Sequence, residues 1–228
     1  TKFNFIEFPN EVVMLAVYCY YKFKVDLDNV VELMALRGIY ISHQTVHNWV
    51  QIFGVDLGIK LREHRKGKVS KKWHVDATYV KIAGNWCYLY RAIDREGNLV
   101  DVYLSDTRDK KAAENFFNQA QVTTGVIPIQ ITTDKEPALY QAIENVFPDT
   151  KHRDSKYMNN IIEQNHRGIK SRYKVMKGFK NPFSTLIFCT VFEEIKQFFR
   201  MKNKSRAQCR KLIMPRFQEL NNLLLIEA

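Results

Sequence analysis

The sequence predicts an α/β domain preceded by an all-α region. Three observations carry that reading. Apolar residues recur at helical spacing up to about Phe53, a short basic stretch from Lys60 to Lys72 interrupts the pattern, and strand-like spacing begins at Trp73. The 228 residues suit one domain of ordinary size plus a small appendage, and an apolar share of 46% is enough to bury a core. That composition excludes an intrinsically disordered chain. The longest apolar runs, such as Val12 to Tyr21, are shorter than the roughly 20 residues a membrane-spanning helix needs. Cys19, Cys87, Cys189 and Cys209 are widely separated and suggest neither a disulfide framework nor a cysteine zinc site. Such cysteine usage fits a reducing, cytosolic compartment.

In the first region, Val12, Val13, Leu15, Ala16 and Cys19 mark one helix, and Val30, Val31, Leu33, Met34 and Leu36 mark a second. Gly38 suits a helix stop and Ser42 an N-cap, after which Val46, Trp49, Val50 and Phe53 repeat at helical spacing. Two helices joined by a short Gly-containing turn form a helix-turn-helix, whose second helix lies in the major groove. The side chains opposite the apolar stripe, Gln44, Thr45, His47, Asn48 and Gln51, are then the candidates for base edges and phosphates. An ordinary helical hairpin with a wet outer face has the same pattern. His43 and His47 have the spacing of a zinc pair, but no further ligand lies nearby, which favours a DNA-facing or solvated role.

The expected boundaries are a helix-turn-helix region over 1–58, a basic linker over 59–72, a catalytic domain over 73–202 and a tail over 203–228. In the catalytic domain, Trp73 to Ile82 alternates as a strand, Ala83-Gly84-Asn85 turns, and Trp86 to Asp94 returns. A second turn at Arg95 to Asn98 leads to a third strand, Leu99 to Ser105, completing an antiparallel meander. A helix from about Asp109 to Gln121 carries Ala112, Ala113, Phe116, Phe117 and Ala120 on one face. Pro128 to Asp134 reads as a buried strand ending in an acid. Helices follow over Pro137 to Phe147, Asn159 to about Met176, and Phe183 to Arg200. Three antiparallel strands followed by alternating helix and strand is the order of an RNase H-like domain. Trp49, Trp73 and Trp86 are expected in the core. The tail, ending LNNLLLIEA, suits either a self-association helix or a loose end.

Charge is uneven. Lys60 to Lys72 holds seven Lys or Arg against one acid, and Lys151 to Arg216 holds seventeen against four, whereas the net charge of the whole chain is +11. The remainder is therefore acidic, and the two basic surfaces are the electrostatic footprint of a polyanion binder. Arg65, Lys66 and Lys68 in the first segment, and His166, Arg167 and Arg172 in the second, are candidate phosphate contacts.

Three carboxylates hold telling positions. Asp76 lies in mid-strand, where a charge is costly without a partner, and Asp134 ends a core strand, where open sheets place ligands. Glu163 sits early on a helix with Arg167 and Lys170 on the same face. Hard Mg²⁺ or Mn²⁺ ions prefer such oxygen donors, and two ions about 4 Å apart can serve phosphoryl transfer. Taken singly, each acid also suits a turn, a helix cap or a surface ion pair.

The blocks WHVDATYVKIAGNWCYLYRAID, ITTDKEPAL and KYMNNIIEQNHRGIKSR, in that order behind a helix-turn-helix, resemble DDE transposases of the IS6 (IS26-like) bacterial insertion sequences. The resemblance runs from roughly Phe8 to Phe199. It implies a retroviral integrase-like catalytic domain with Asp76, Asp134 and Glu163 as the catalytic, metal-binding triad and Lys170 as the basic residue seven positions after the Glu. It implies two Mg²⁺ or Mn²⁺ ions, cleavage at terminal inverted repeats, and transfer of the exposed 3′ hydroxyls into target DNA. It also implies a homo-oligomer holding two DNA ends in the bacterial cytoplasm, associated with the nucleoid, with no membrane partner. Two departures stand out: the interval from Asp134 to Glu163 is short, and Asn165 replaces the family's Asp. The competing expectations are an inactive or repurposed DNA-binding protein of repressor type, and a structure-selective nuclease.

Overall fold

The computed structural model describes residues 7–154 and 160–225. Strand-forming residues build β1 (Lys72–Ile82), β2 (Asn85–Asp94), β3 (Leu99–Ser105), β4 (Gln130–Thr133) and β5 (Lys151–Asp154). They form one sheet of order β3-β2-β1-β4-β5. The first three are an antiparallel meander, with Trp73 opposite Asp94 and Ile82 opposite Asn85. Ala83 and Gly84 close the β1–β2 hairpin at φ 48° and 90°, the left-handed geometry that lets a two-residue turn follow the strand twist. β4 joins β1 in parallel, and β5 joins β4 in parallel.

Helix α4 (Lys110–Thr124) starts where the Asp109 carboxylate accepts from the Ala112 N–H and stops at Gly125, φ 68°. With α5 (Pro137–Val146) it covers one sheet face. Trp73, Val75, Ala77, Tyr90 and Ile131 from the sheet meet Phe116, Phe117, Leu139, Ile143 and Phe147 there in a single core. α6 (Asn160–Val175) packs on β1 and β2, and α7 (Pro182–Phe198) follows it.

The chain divides into two compact units, one of residues up to Leu61 together with those from Glu194 onward, the other Arg62–Glu193. The first holds α1 (Asn10–Lys22), α2 (Leu27–Ala35), most of α3 (His43–His64) and α8 (Arg206–Leu225). Gly38, φ 73°, follows α2, and the Ser42 hydroxyl accepts from the Thr45 N–H at the start of α3. Val46, Trp49, Val50 and Phe53 form the buried stripe of α3.

Three features differ from the sequence expectation. The segment 59–72 is helical through His64 rather than a free linker, because Leu57 and Leu61 continue the buried stripe and Arg62 finds a buried acceptor. The tail is a packed helix: Tyr18 of α1 meets Phe199 at 4.9 Å and Phe217 of α8 at 5.5 Å between ring centroids. Trp86 is 60% exposed, unlike the buried Trp49 and Trp73.

Candidate active site

The parallel register between β1 and β4 places Trp73 opposite Ile131 and His74 opposite Thr132. Two residues beyond that pair stand Asp76, still within β1, and Asp134, just past the carboxyl end of β4, so the pairing that builds the sheet brings the two acids to neighbouring strands at the same level. Asp76 is half-buried, and its Oδ1 accepts from the Ala77 N–H at 2.9 Å. Asp134 is 37% exposed, and its Oδ1 accepts from the Glu136 N–H at 3.3 Å. Burial, and next the negative charge of Asp76, push the Asp134 carboxyl above its ordinary range. Two neighbouring carboxylates form a hard-oxygen donor set suited to a divalent cation.

Asp76 faces the sheet side opposite to the Val75 and Ala77 core. Its cross-strand partner on β2 is Arg91, whose Nη2 donates to Glu193 Oε2 of α7 at 2.6 Å, both side chains being almost fully buried. α6 packs on β1 and β2, and its Ile162 and Ile169 are buried. Glu163 follows Ile162 on that helix; its side chain, like that of His166 and Asn165, lies outside the described residues. Among the described residues no group of three His, Cys, Asp or Glu is placed to hold a metal.

The expected cations separate into two groups. Lys66, Lys68, Arg167 and Lys170 are exposed. Arg65 and Arg172 are buried, which corrects their expected phosphate role. Arg65 is held in the fold by donating to the Leu99 carbonyl at 3.1 Å, and Arg172 lies over the Phe188 ring at 5.5 Å, a cation–π contact that offsets its loss of water. Arg62 donates to the buried Asp101 at 2.7 Å, and Gln119 and Thr123 complete that carboxylate's shell. On α3, Gln44, Asn48 and Gln51 are exposed, whereas Thr45 and His47 are half-buried. Gln44 Nε2 donates to Asn48 Oδ1 at 2.8 Å and approaches His47 Nδ1 at 3.5 Å, so this face carries a ready polar network.

Sequence reasoning missed Arg108 and Glu136. The Arg108 guanidinium lies 3.1 Å from Glu136 and 3.6 Å from Asp134, bridging the loop before α4 to the loop after β4. The available signal was an Asp-Thr-Arg-Asp run directly after a strand, facing the Asp-Lys-Glu that ends another.

A DDE-domain family model of the IS240 transposase type matches residues 70–204. The transposase for insertion sequence-like element IS431mec of Staphylococcus aureus strain Mu50 is 36% identical over 188 residues, covering 78% of this chain and 83% of that protein. The transposase for insertion sequence element IS257 in transposon Tn4003, also from Staphylococcus aureus, matches to the same extent. Among solved structures, the HTLV-2 integrase catalytic core domain in complex with magnesium has a TM-score of 0.46 at 17% identity, covering 62% of this chain and 94% of that one.

Proposed function

From the premise that this chain belongs to the IS6 family of DDE transposases, we propose that Asp76, Asp134 and Glu163 are the acids with which it cuts insertion-sequence ends and joins them to target DNA. It is a transposase, a polynucleotidyl transferase of the DDE class. The family match spans the whole catalytic region, and the repressor-like alternative is not favoured. The observation that supports the site assignment is the β1–β4 register, which brings Asp76 and Asp134 to the same level of adjacent strands, close enough for Asp76 to raise the Asp134 carboxyl.

In this reading Asp76, Asp134 and Glu163 hold two Mg²⁺ or Mn²⁺ ions. When bound, the metal supplies Lewis-acid stabilisation of the attacking and leaving oxygens. Asp76 and Asp134 offer the oxygen donors, and Arg108 orients the Asp134 carboxylate. Arg167 and Lys170, exposed on α6 one and two turns beyond Glu163, grip phosphates beside the scissile bond. Water attacks the end phosphodiester, the P–O3′ bond breaks, and a 3′ hydroxyl is released. That hydroxyl then attacks a target phosphorus and displaces the target strand's own 3′ oxygen, so the number of phosphodiesters is conserved in the joining step. No protein nucleophile is needed.

Gln44, Thr45, His47, Asn48 and Gln51 of α3 read the terminal repeat, and Lys66 and Lys68 contact its backbone. A homo-oligomer holds two ends at once, in the bacterial cytoplasm and on the nucleoid. None of the described helices is long and apolar enough to cross a membrane.

The test is kinetic. Asp76→Asn, Asp134→Asn and Glu163→Gln each abolish nicking and joining of end-containing DNA with Mg²⁺ or Mn²⁺, while gel-shift affinity for the duplex stays within about threefold of wild type. Near-normal strand transfer by Glu163→Gln would refute its place in the site.

A further inference from the structure

On the sheet face that α4 covers, the β1–β2 hairpin runs past the helix. The register sets Tyr79 opposite Tyr88 and Lys81 opposite Trp86, so these four side chains share one face. Nearer the sheet centre, Ala77 and Tyr90 on that face are buried, Tyr90 stacking on Phe116 of α4. Toward the hairpin tip the cover ends, and Tyr79 and Trp86 are 52% and 60% exposed. Their rings meet edge to face at 6.1 Å, and Tyr79 also contacts Tyr88 at 5.1 Å.

Two cations flank this surface. Lys81 Nζ lies 5.7 Å from the Trp86 ring centre, and the Arg108 guanidinium lies 5.8 Å from that of Tyr79. The same guanidinium reaches Asp134 at 3.6 Å. A contiguous aromatic surface on the sheet face opposite to Asp76 therefore adjoins Asp134 through one shared arginine.

We propose that Tyr79 and Trp86 are a stacking platform for unpaired bases of the DNA strand being processed, with Lys81 and Arg108 taking the adjoining phosphates. The proposal rests on reading Asp76 and Asp134 as the DNA-cutting site. Single exposed apolar side chains are ordinary on protein surfaces, but a cluster of rings is not. Every base offers a π face, so aromatic platforms beside cations bind single strands irrespective of sequence. A duplex hides those faces in its stack, which makes the occupant an unpaired stretch at a cut or frayed end. A second copy of the chain suits the surface less, because burying it would strip water from Lys81 and from the Arg108 guanidinium beside Glu136 and Asp134.

Trp86 is the exposed member of the three tryptophans, Trp49 and Trp73 being buried, so indole fluorescence reports this surface. The experiment titrates metal-free full-length protein with end duplexes that are blunt or carry a short single-stranded overhang. Overhang DNA quenches Trp86, and blunt DNA does not. Trp86→Leu binds the overhang substrate roughly tenfold more weakly, Trp86→Phe recovers most of that loss, and all three proteins bind the blunt duplex alike. Equal overhang affinity in wild type and Trp86→Leu overturns the proposal. So does concentration-dependent shielding of Trp86 without DNA that Trp86→Leu abolishes together with self-association, since the surface then belongs to a second copy. Metal-dependent joining by the wild-type protein is scored in parallel. Joining with unchanged Trp86→Leu overhang affinity sinks the platform alone, whereas quenching without any joining supports the platform and sinks the catalytic reading.

Discussion

Replacing Arg91 by Leu removes one half of the ion pair that underlies Asp76. Arg91 and Glu193 keep only 3% and 1% of their side-chain surface exposed, and they meet at 2.6 Å. Leu in place of Arg91 takes the Arg91 guanidinium away from the buried Glu193 carboxylate, and breaking a buried pair costs about 3–5 kcal/mol in such settings. At about 2–4 °C per kcal/mol for a chain of this size, the melting temperature falls by roughly 6–20 °C. An exposed pair would be worth at most about 1 kcal/mol, so the two cases are well separated. The assay is a double-mutant cycle by calorimetry on Arg91→Leu, Glu193→Leu and the combined variant. The combined variant recovers most of the loss, because two apolar side chains of fitting size replace a pair whose attraction is largely offset by desolvation. A loss under about 1 kcal/mol in Arg91→Leu, or strict additivity in the cycle, would refute the reasoning. Since Arg91 is the cross-strand partner of Asp76, Arg91→Lys, which keeps the charge but not the planar fork, lowers joining more than it lowers stability.

Three further outcomes are expected. Because the Asp134 carboxyl is held above its ordinary range, its ionisation costs the fold stability, a penalty absent below the ordinary carboxylate range and growing as pH rises to the folded value. Asp134→Asn therefore melts above wild type at pH 7 while losing joining, and the gap closes in acid; melting scans against pH check this, and a variant less stable at pH 7 contradicts it. Asp101→Leu removes the acceptor that Arg62, Gln119 and Thr123 share and lowers stability by about 1–3 kcal/mol in urea titrations, although Asp101 touches none of the catalytic residues. Asn48→Ala or Gln51→Ala weakens binding to the terminal repeat by about 1–3 kcal/mol with little effect on random duplex, whereas Lys66→Ala or Lys68→Ala weakens both and lowers the salt slope by about 1, measured by anisotropy.

Much of this architecture was legible because it is local. Trp73 to Ile82, the returning strand and Leu99 to Ser105 declare themselves by strand-type composition and by turns at Ala83-Gly84 and Gly97. The helix Lys110–Thr124 is bracketed by Asp109 and Gly125, residues whose chemistry fixes its ends. Asp76 and Asp134 were legible as acids where strands should be apolar. What escaped notice depends on partners far away in the chain. β5 reads Lys-His-Arg-Asp and looks like a loop, because an edge strand is held by backbone bonds to β4 and needs no apolar face. Arg65 and Arg172 looked like phosphate ligands because nothing beside them in sequence announces the Leu99 carbonyl or the Phe188 ring. Trp86 looked like core, since strand alternation says which face a side chain takes but not where the covering helix stops. Arg108 gained its meaning only once the strand register had set Asp134 and Glu136 beside it.

The convergence of three acids on one metal site is tested most directly by anomalous diffraction from crystals grown with Mn²⁺. Density bonded to oxygens of Asp76, Asp134 and Glu163 together is the predicted result. Manganese held by the two aspartates with Glu163 turned out of coordinating reach, or bound elsewhere on the chain, would contradict it.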